Sequence, residues 1–202
     1  MNSTGKGRAP GKCGRVRVRD GYLRIIGGKH RSRLIRVPAR PGLRPTPDRV
    51  RETLFNWLGQ DLSGLACLDL YAGSGALGFE AASRGAARVV MVENDRAALA
   101  ELERSRAALG AAQVVIVGGD AAAYLARERE RFDVVFLDPP FRQNAVPAIL
   151  QKLALRLEAG GRVYVESDSP VEAPPPWAEM KRGKAGQVSY QLLQWDVNEA
   201  QP

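Results

Sequence analysis

The stretch Asp69-Leu70-Tyr71-Ala72-Gly73-Ser74-Gly75-Ala76-Leu77-Gly78 closes an apolar run that begins at Leu65 and opens a segment, 77–84, with helical character that Gly85 ends. It has the pattern D-x-x-x-G-x-G-x-x-G. Glycines at these spacings let the backbone turn sharply from a strand into a helix and come close to a ligand. The same pattern serves a tight strand-to-helix turn that holds nothing, so its surroundings must decide. Downstream, apolar strands at 89–92, 114–117, 132–137 and 162–166 alternate with helices at 96–109, 121–130 and 144–158. Strands that are apolar on both faces and separated by helices predict a doubly wound, mostly parallel α/β sheet. The end differs. Pro170 and 174–176 form a stiff loop, and Gly183 and Gly186 suit a hairpin whose last strand is 189–195.

Upstream the chain is of another kind. Residues 1–51 carry 15 Lys or Arg and two acids, Asp20 and Asp48, whereas 52–202 carry the other 15 bases and 20 acids. The net +8 of the chain therefore arises in its first quarter. A basic arm on a mildly acidic body suits a polyphosphate partner, because each phosphate neutralised releases counterions. Residues 1–20 have few apolar anchors and read as a tail. Short strands at 23–26 and 34–37 predict a basic hairpin, and Pro38, Pro41, Pro45 and Pro47 an extended linker. Asp48 is placed to cap a helix carrying Val50, Leu54, Phe55 and Leu58. Three units are expected: a tail (1–20), an RNA-binding hairpin with its linker (21–47) and a catalytic domain (48–202).

Composition excludes several classes. At 202 residues with 45% hydrophobic content the chain can bury a full core. No run reaches the roughly 18–20 apolar residues of a membrane span, and no signal-peptide core is present. A cytoplasmic protein without membrane association is expected. Two cysteines, Cys13 and Cys67, cannot build a disulfide framework. A single histidine, His30, argues against a structural zinc site and a Ser-His-Asp triad. His30 lies among Lys29, Arg31 and Arg33 and reads as exposed.

Chemistry concentrates at the ends of the strands. Glu93 ends the strand after the glycine loop, 20 residues past Gly73. A carboxylate there can accept from two ribose hydroxyls, which suits both a nicotinamide dinucleotide and S-adenosylmethionine. Asp69 favours the second, since an acid beside the loop attracts an ammonium and a sulfonium and repels a pyrophosphate. The strand 132–137 runs into Asp138-Pro139-Pro140-Phe141. Two prolines leave their carbonyls free of any ladder. The Asp138 carboxylate and the Pro139 carbonyl can then converge on one exocyclic NH2, while Phe141 offers a face on which a base stacks. Simple chain reversal is the competing reading of this turn. Asp120, after the third strand, suits the amine of an adenine and equally a helix N-cap.

These residues occur in order with two further blocks: Arg24-Ile25-Ile26-Gly27-Gly28, and Arg44-Pro45-Thr46-Pro47-Asp48-Arg49-Val50-Arg51-Glu52-Thr53-Leu54-Phe55-Asn56-Trp57-Leu58. The combination resembles the bacterial 16S rRNA (guanine-N2)-methyltransferases of the RsmD type, over residues 23 to about 195. The resemblance implies a Rossmann-like class I methyltransferase with a seven-stranded sheet whose last strand is antiparallel. It implies methyl transfer from S-adenosyl-L-methionine, giving S-adenosyl-L-homocysteine, without a metal, to the N2 amine of one guanine in 16S rRNA of the assembled small subunit. By position Asp138, Pro139, Pro140 and Phe141 would be catalytic. Asp69, Ala72, Gly73, Gly75 and Glu93 would line the cofactor, with Asp120 and Ala121 near its adenine. Arg44, Thr46 and Arg51 would border the substrate, and Arg24, Lys29, Arg31 and Arg33 would meet RNA phosphates. A monomer is expected.

Three rivals stand beside this reading. Adenine-N6 methylation of DNA or RNA could use the same Asp-Pro-Pro-aromatic turn. An RNA-binding assembly factor without catalysis would not need that turn intact. A nicotinamide oxidoreductase would need an acid or base for hydride transfer that the sequence does not offer.

Overall fold

A computed structural model describes residues 21–37, 46–140, 146–173 and 175–196. The tail 1–20, most of the proline linker, Arg44 and Phe141 lie outside the described residues.

The chain opens on a two-stranded antiparallel hairpin, β1 (Tyr22–Arg24) and β2 (Leu34–Arg36), in the register Leu23↔Ile35. Helix α1 (Asp48–Leu58) follows, and then β3 (Ala66–Asp69), α2 (Ala76–Ser83), β4 (Arg88–Glu93), α3 (Arg96–Leu109), β5 (Val114–Gly118), α4 (Ala121–Arg127), β6 (Phe132–Leu137) and α5 (Val146–Leu153). A 3-10 turn (Ala154–Arg156) leads into β7 (Leu157–Ser167), and β8 (Trp177–Ala185) and β9 (Val188–Trp195) complete the fold. The expected helices at 121–130 and 144–158 end early. The first stops at Arg127, and the second tightens into the 3-10 turn before β7.

Seven strands form one sheet in the order β5-β4-β3-β6-β7-β9-β8. Strands β3 to β7 pair in parallel, and β9 runs antiparallel between β7 and β8. This is the expected Rossmann-like class I methyltransferase architecture with its antiparallel last strand. The chain winds outward from β3 to β5, then restarts on the other side at β6. The sheet therefore has its topological switch point between β3 and β6, where the carboxyl ends of the strands leave a crevice.

One face of the sheet packs under α1, α2, α3 and the hairpin, whose Leu23, Ile25 and Ile35 are buried in the same core as Phe55, Phe79, Phe136 and Tyr164. Helices α4 and α5 cover the other face through Leu125, Ile149, Leu150 and Leu153. The hairpin is seated by polar contacts as well. Glu80, fully buried on α2, accepts the backbone N–H of Ile26 and of Gly27, each at 2.8 Å. Ser83 Oγ donates to the Gly27 carbonyl at 2.5 Å and accepts from His30 N at 2.8 Å. Gly28, at φ 72°, lies so close to α2 that a Cβ there would fall 1.8 Å from the Ser83 carbonyl oxygen. The sequence block Gly27-Gly28 is thus a docking surface for α2.

Two expectations are corrected here. His30 is buried, since the turn carrying it is folded onto Ser83. Burial, with the charges of Lys29 and Arg33, lowers its pKa. Asp48 does not cap α1. Pro47 stands at the cap, and Asp48, in the first turn, pairs with Arg51 at 2.7 Å. Arg51 is fully buried. Its guanidinium meets Glu80 at 3.4 Å, Asp48, and the Arg24 carbonyl at 2.9 Å, which ties α1, α2 and the hairpin together.

Candidate active site

Five neighbouring parallel strands each carry an acid within two residues of their carboxyl end. Along the carboxyl edge these are Asp120 after β5, Glu93 on β4, Asp69 on β3, Asp138 after β6 and Glu166 on β7. Among the described residues no group of three or more His, Cys, Asp or Glu is arranged to hold a metal ion. The row therefore offers separate acceptors along a crevice.

The glycine loop fills the first part of that edge. Gly73 and Gly75 adopt φ values of 51° and 78°, the left-handed conformation that glycine adopts without strain. A side chain at Gly75 would strike Phe79 and Leu102. Ala72 is buried and its N–H donates to Val92 O at 3.0 Å, joining the loop to β4. Glu93 accepts from Gly73 N at 2.8 Å through one oxygen and from Asn94 N and Asp95 N through the other, at 3.0 and 2.9 Å. Asp69 accepts from Gly78 N at 3.1 Å. Burial pushes the Asp69 pKa up to about 7, with the Glu93 charge adding to the rise and the N–H groups of Gly78 and Tyr71 opposing it. Asp120 is exposed and caps α4, accepting from Ala123 N at 2.9 Å. Its charge also reaches Tyr71 of the glycine loop. Ala121 begins α4 and is buried.

Across the switch point lies the Asp-Pro-Pro turn. The pairings Asp69↔Phe136 and Leu137↔Val165 put Asp138 between the ends of β3 and β7. Among the described residues no hydrogen-bond donor meets the Asp138 carboxylate. Burial, then the charges of Glu166 and Asp69, hold its pKa well above the usual carboxylate range. Pro139 is buried and Pro140 exposed. Both line a cleft of about 250 Å³ whose other walls include Val146, Glu166, Ser167 and Val171.

Glu166 is a candidate site residue that sequence reasoning misses. It is 5% exposed, and one oxygen, Oε1, accepts from Thr46 Oγ1 and from Tyr164 OH, each at 2.9 Å. Thr46 thus stands at the site as a holder of Glu166. The available signal is positional: β7 brings an acid to the carboxyl edge just as β4 brings Glu93. Arg24, Lys29, Arg31 and Arg33 are exposed on the hairpin, away from this row, and Arg33 donates to Ala108 O at 2.8 Å. Trp177 packs edge-on to Trp195 in the core between β8 and β9.

Comparison with known proteins gives a consistent neighbourhood. The model of the family described as Conserved hypothetical protein 95 matches residues 23–194. The Ribosomal RNA small subunit methyltransferase D of Escherichia coli strain K12 is 44% identical over 186 residues, 87% of this chain and 91% of that protein. The protein of the same name from Haemophilus influenzae is 40% identical over 86% of this chain and 94% of its own length. A solved structure titled "Putative methyltransferase yhhF from Escherichia coli" superposes with a TM-score of 0.80 at 43% identity, covering 87% of this chain and 99% of that one.

Proposed function

The chain belongs to the Conserved hypothetical protein 95 family, the RsmD family, and from that premise we propose that it transfers a methyl group from S-adenosyl-L-methionine to the exocyclic N2 amine of one guanine in 16S rRNA. The substrate is the small ribosomal subunit, and the enzyme acts in the cytoplasm as a monomer. The relatives' name supports the rRNA substrate. The observation that carries the chemistry is the Asp138 carboxylate, without a protein donor among the described residues, at the switch point beside the glycine loop.

The loop suits the cofactor by the sign of the charges beside it. Asp69 and Glu93 present two carboxylates, which attract an ammonium and a sulfonium and oppose a pyrophosphate. Glu93 has the position to accept ribose hydroxyls, and Asp120, at the neighbouring strand end, an adenine amine. When bound, S-adenosylmethionine supplies an electrophilic methyl group. The residues of the chain do the rest. Asp138 and the Pro139 carbonyl accept from the two hydrogens of the amine and hold its nitrogen in line. They also stabilise the positive charge that grows on that nitrogen. Asp138, whose pKa is raised, then takes the proton that the methylated amine releases.

Titration of Asp69 gives a first check. A cation pairs with the ionised carboxylate, so binding below the pKa of about 7 must expel a proton. The dissociation constant of S-adenosylmethionine should be level above that pH and rise about tenfold per unit below it. Calorimetry between about pH 5.5 and 8.5 reads this, and an affinity independent of pH would remove Asp69 from the cofactor site.

Arg24, Lys29, Arg31 and Arg33 give the RNA phosphates a basic surface fixed to α2. Replacing Arg31 and Arg33 together by Ala should weaken rRNA binding most at low salt. The slope of log affinity against log salt should become shallower by about 0.7–0.9 for each phosphate that is no longer neutralised. An unchanged slope would take the hairpin out of the interface.

The proposal itself is tested by incubating the protein with labelled methyl donor and small subunits from a strain lacking the modification. Nucleoside mass spectrometry should place the label in N2-methylguanosine. Label in N6-methyladenosine would overturn the reading in favour of its nearest rival.

A further inference from the structure

The reaction asks for acceptors on one NH2 group, and Asp138 with Pro139 provides them. The edge of the sheet carries one acceptor more. Glu166 stands one strand beyond Asp138, in the register that pairs Leu137 with Val165. It lines the cleft that Pro139 and Pro140 also line. Its Oε1 is held by Thr46 and Tyr164. Among the described residues its Oε2 accepts no hydrogen bond, although the residue is only 5% exposed. One oxygen of this carboxylate is clamped, and the other, unclaimed by any described residue, is open to a donor that enters the cleft.

Two acids on adjacent strands, each with an oxygen that no described residue donates to, match a ligand with two donors side by side. Guanine has that edge, with N1–H next to the N2 amine. Adenine does not, because the ring nitrogen next to its amine, N1, is an acceptor and would face a carboxylate. We propose that Glu166 is the residue that selects guanine, accepting the N1–H of the target base while Asp138 and Pro139 hold its amine. This rests on the guanine-N2 reading above and supplies its specificity. Thr46 and Tyr164 are positioning residues, since they act by fixing the Glu166 carboxylate. Thr46 belongs to the segment that leads into α1, and Tyr164 is buried in β7. Burial raises the Glu166 pKa, and the hydroxyl bonds from Tyr164 and Thr46 oppose that rise.

The test uses 2-aminopurine, which keeps the 2-amine of guanine but has an acceptor at N1. Mapping the wild-type product first locates the methylated guanine. Small subunits are then assembled with 16S rRNA carrying guanine or 2-aminopurine at that position. Single-turnover transfer is measured with wild-type protein and with Glu166→Gln. Wild type should prefer guanine by about 100-fold or more, because 2-aminopurine leaves a buried carboxylate facing an acceptor. Glu166→Gln, whose amide can donate to N1, should shrink that preference to within about tenfold, chiefly by gaining activity on 2-aminopurine. Tyr164→Phe and Thr46→Val should lower the preference part of the way with cofactor affinity unchanged.

Wild-type protein that methylates the two bases at equal rates would overturn the proposal, whatever the variants do. So would a Glu166→Gln protein that binds the cofactor normally and keeps the full wild-type preference. Either result leaves the guanine-N2 reading standing. Label found in N6-methyladenosine in the mapping step would defeat that reading, and this inference with it.

Discussion

Replacing Asp138 by alanine is expected to lower methyl transfer about a thousandfold while leaving the affinity for S-adenosylmethionine close to that of the wild type. The site's geometry separates the two effects. The glycine loop is held by Glu93 and Asp69, whose hydrogen bonds to Gly73 N and Gly78 N do not involve Asp138. The same substitution should stabilise the fold at neutral pH. A carboxylate whose pKa is raised by burial favours the protonated native state. Its contribution to stability is present below the unfolded pKa and is lost as pH rises through the folded one. Removing it therefore raises the melting temperature at pH 7, and the gain should vanish in acid. Asp138→Asn, which keeps one oxygen acceptor, should fall between alanine and wild type in rate. Single-turnover kinetics, calorimetry and a melt make the comparison. Equal loss of transfer and cofactor binding would mean that the turn serves structure alone.

Glu80→Ala should cost about 3–5 kcal/mol of folding stability, the usual consequence of breaking a buried ion pair from one side. Glu80 is fully buried and serves four partners: Ile26 N, Gly27 N, Arg51 and Arg84. Its loss leaves the Arg51 guanidinium, which has no exposure and whose Nε lacks a partner among the described residues, with only the exposed Asp48 and the Arg24 carbonyl to hold it. Against the ~5–15 kcal/mol of an ordinary domain the effect is large. Urea denaturation measures it. Replacing Arg51 by Met in the same protein should recover part of the loss by removing a buried charge that has lost its buried counter-ion. A Glu80→Ala protein as stable as wild type would show that the network does not tie the hairpin to α2.

Much of this site could be read along the chain, because its signals are local. The glycine loop, Glu93, Asp120 and the Asp-Pro-Pro turn each sit beside the strand whose end they mark, and alternating strands and helices imply that those ends share one edge. What escaped depends on residues distant in sequence. Arg51 looks like one more base in a basic arm until Glu80, 29 positions on, is folded against it. His30 looks exposed in its charge run until α2 presents Ser83, 53 positions on. Glu166 has no motif around it. Its role rests on Thr46, 120 positions earlier, and on a strand neighbour that only the sheet order reveals.

The most direct measurement is a crystal structure of the protein with S-adenosylhomocysteine and a guanine-containing RNA fragment. The account predicts the thioether over the Asp69–Gly78 loop and the guanine N2 nitrogen within hydrogen-bond distance of both the Asp138 carboxylate and the Pro139 carbonyl. A cofactor bound away from that loop, or an amine that meets neither oxygen, would contradict it.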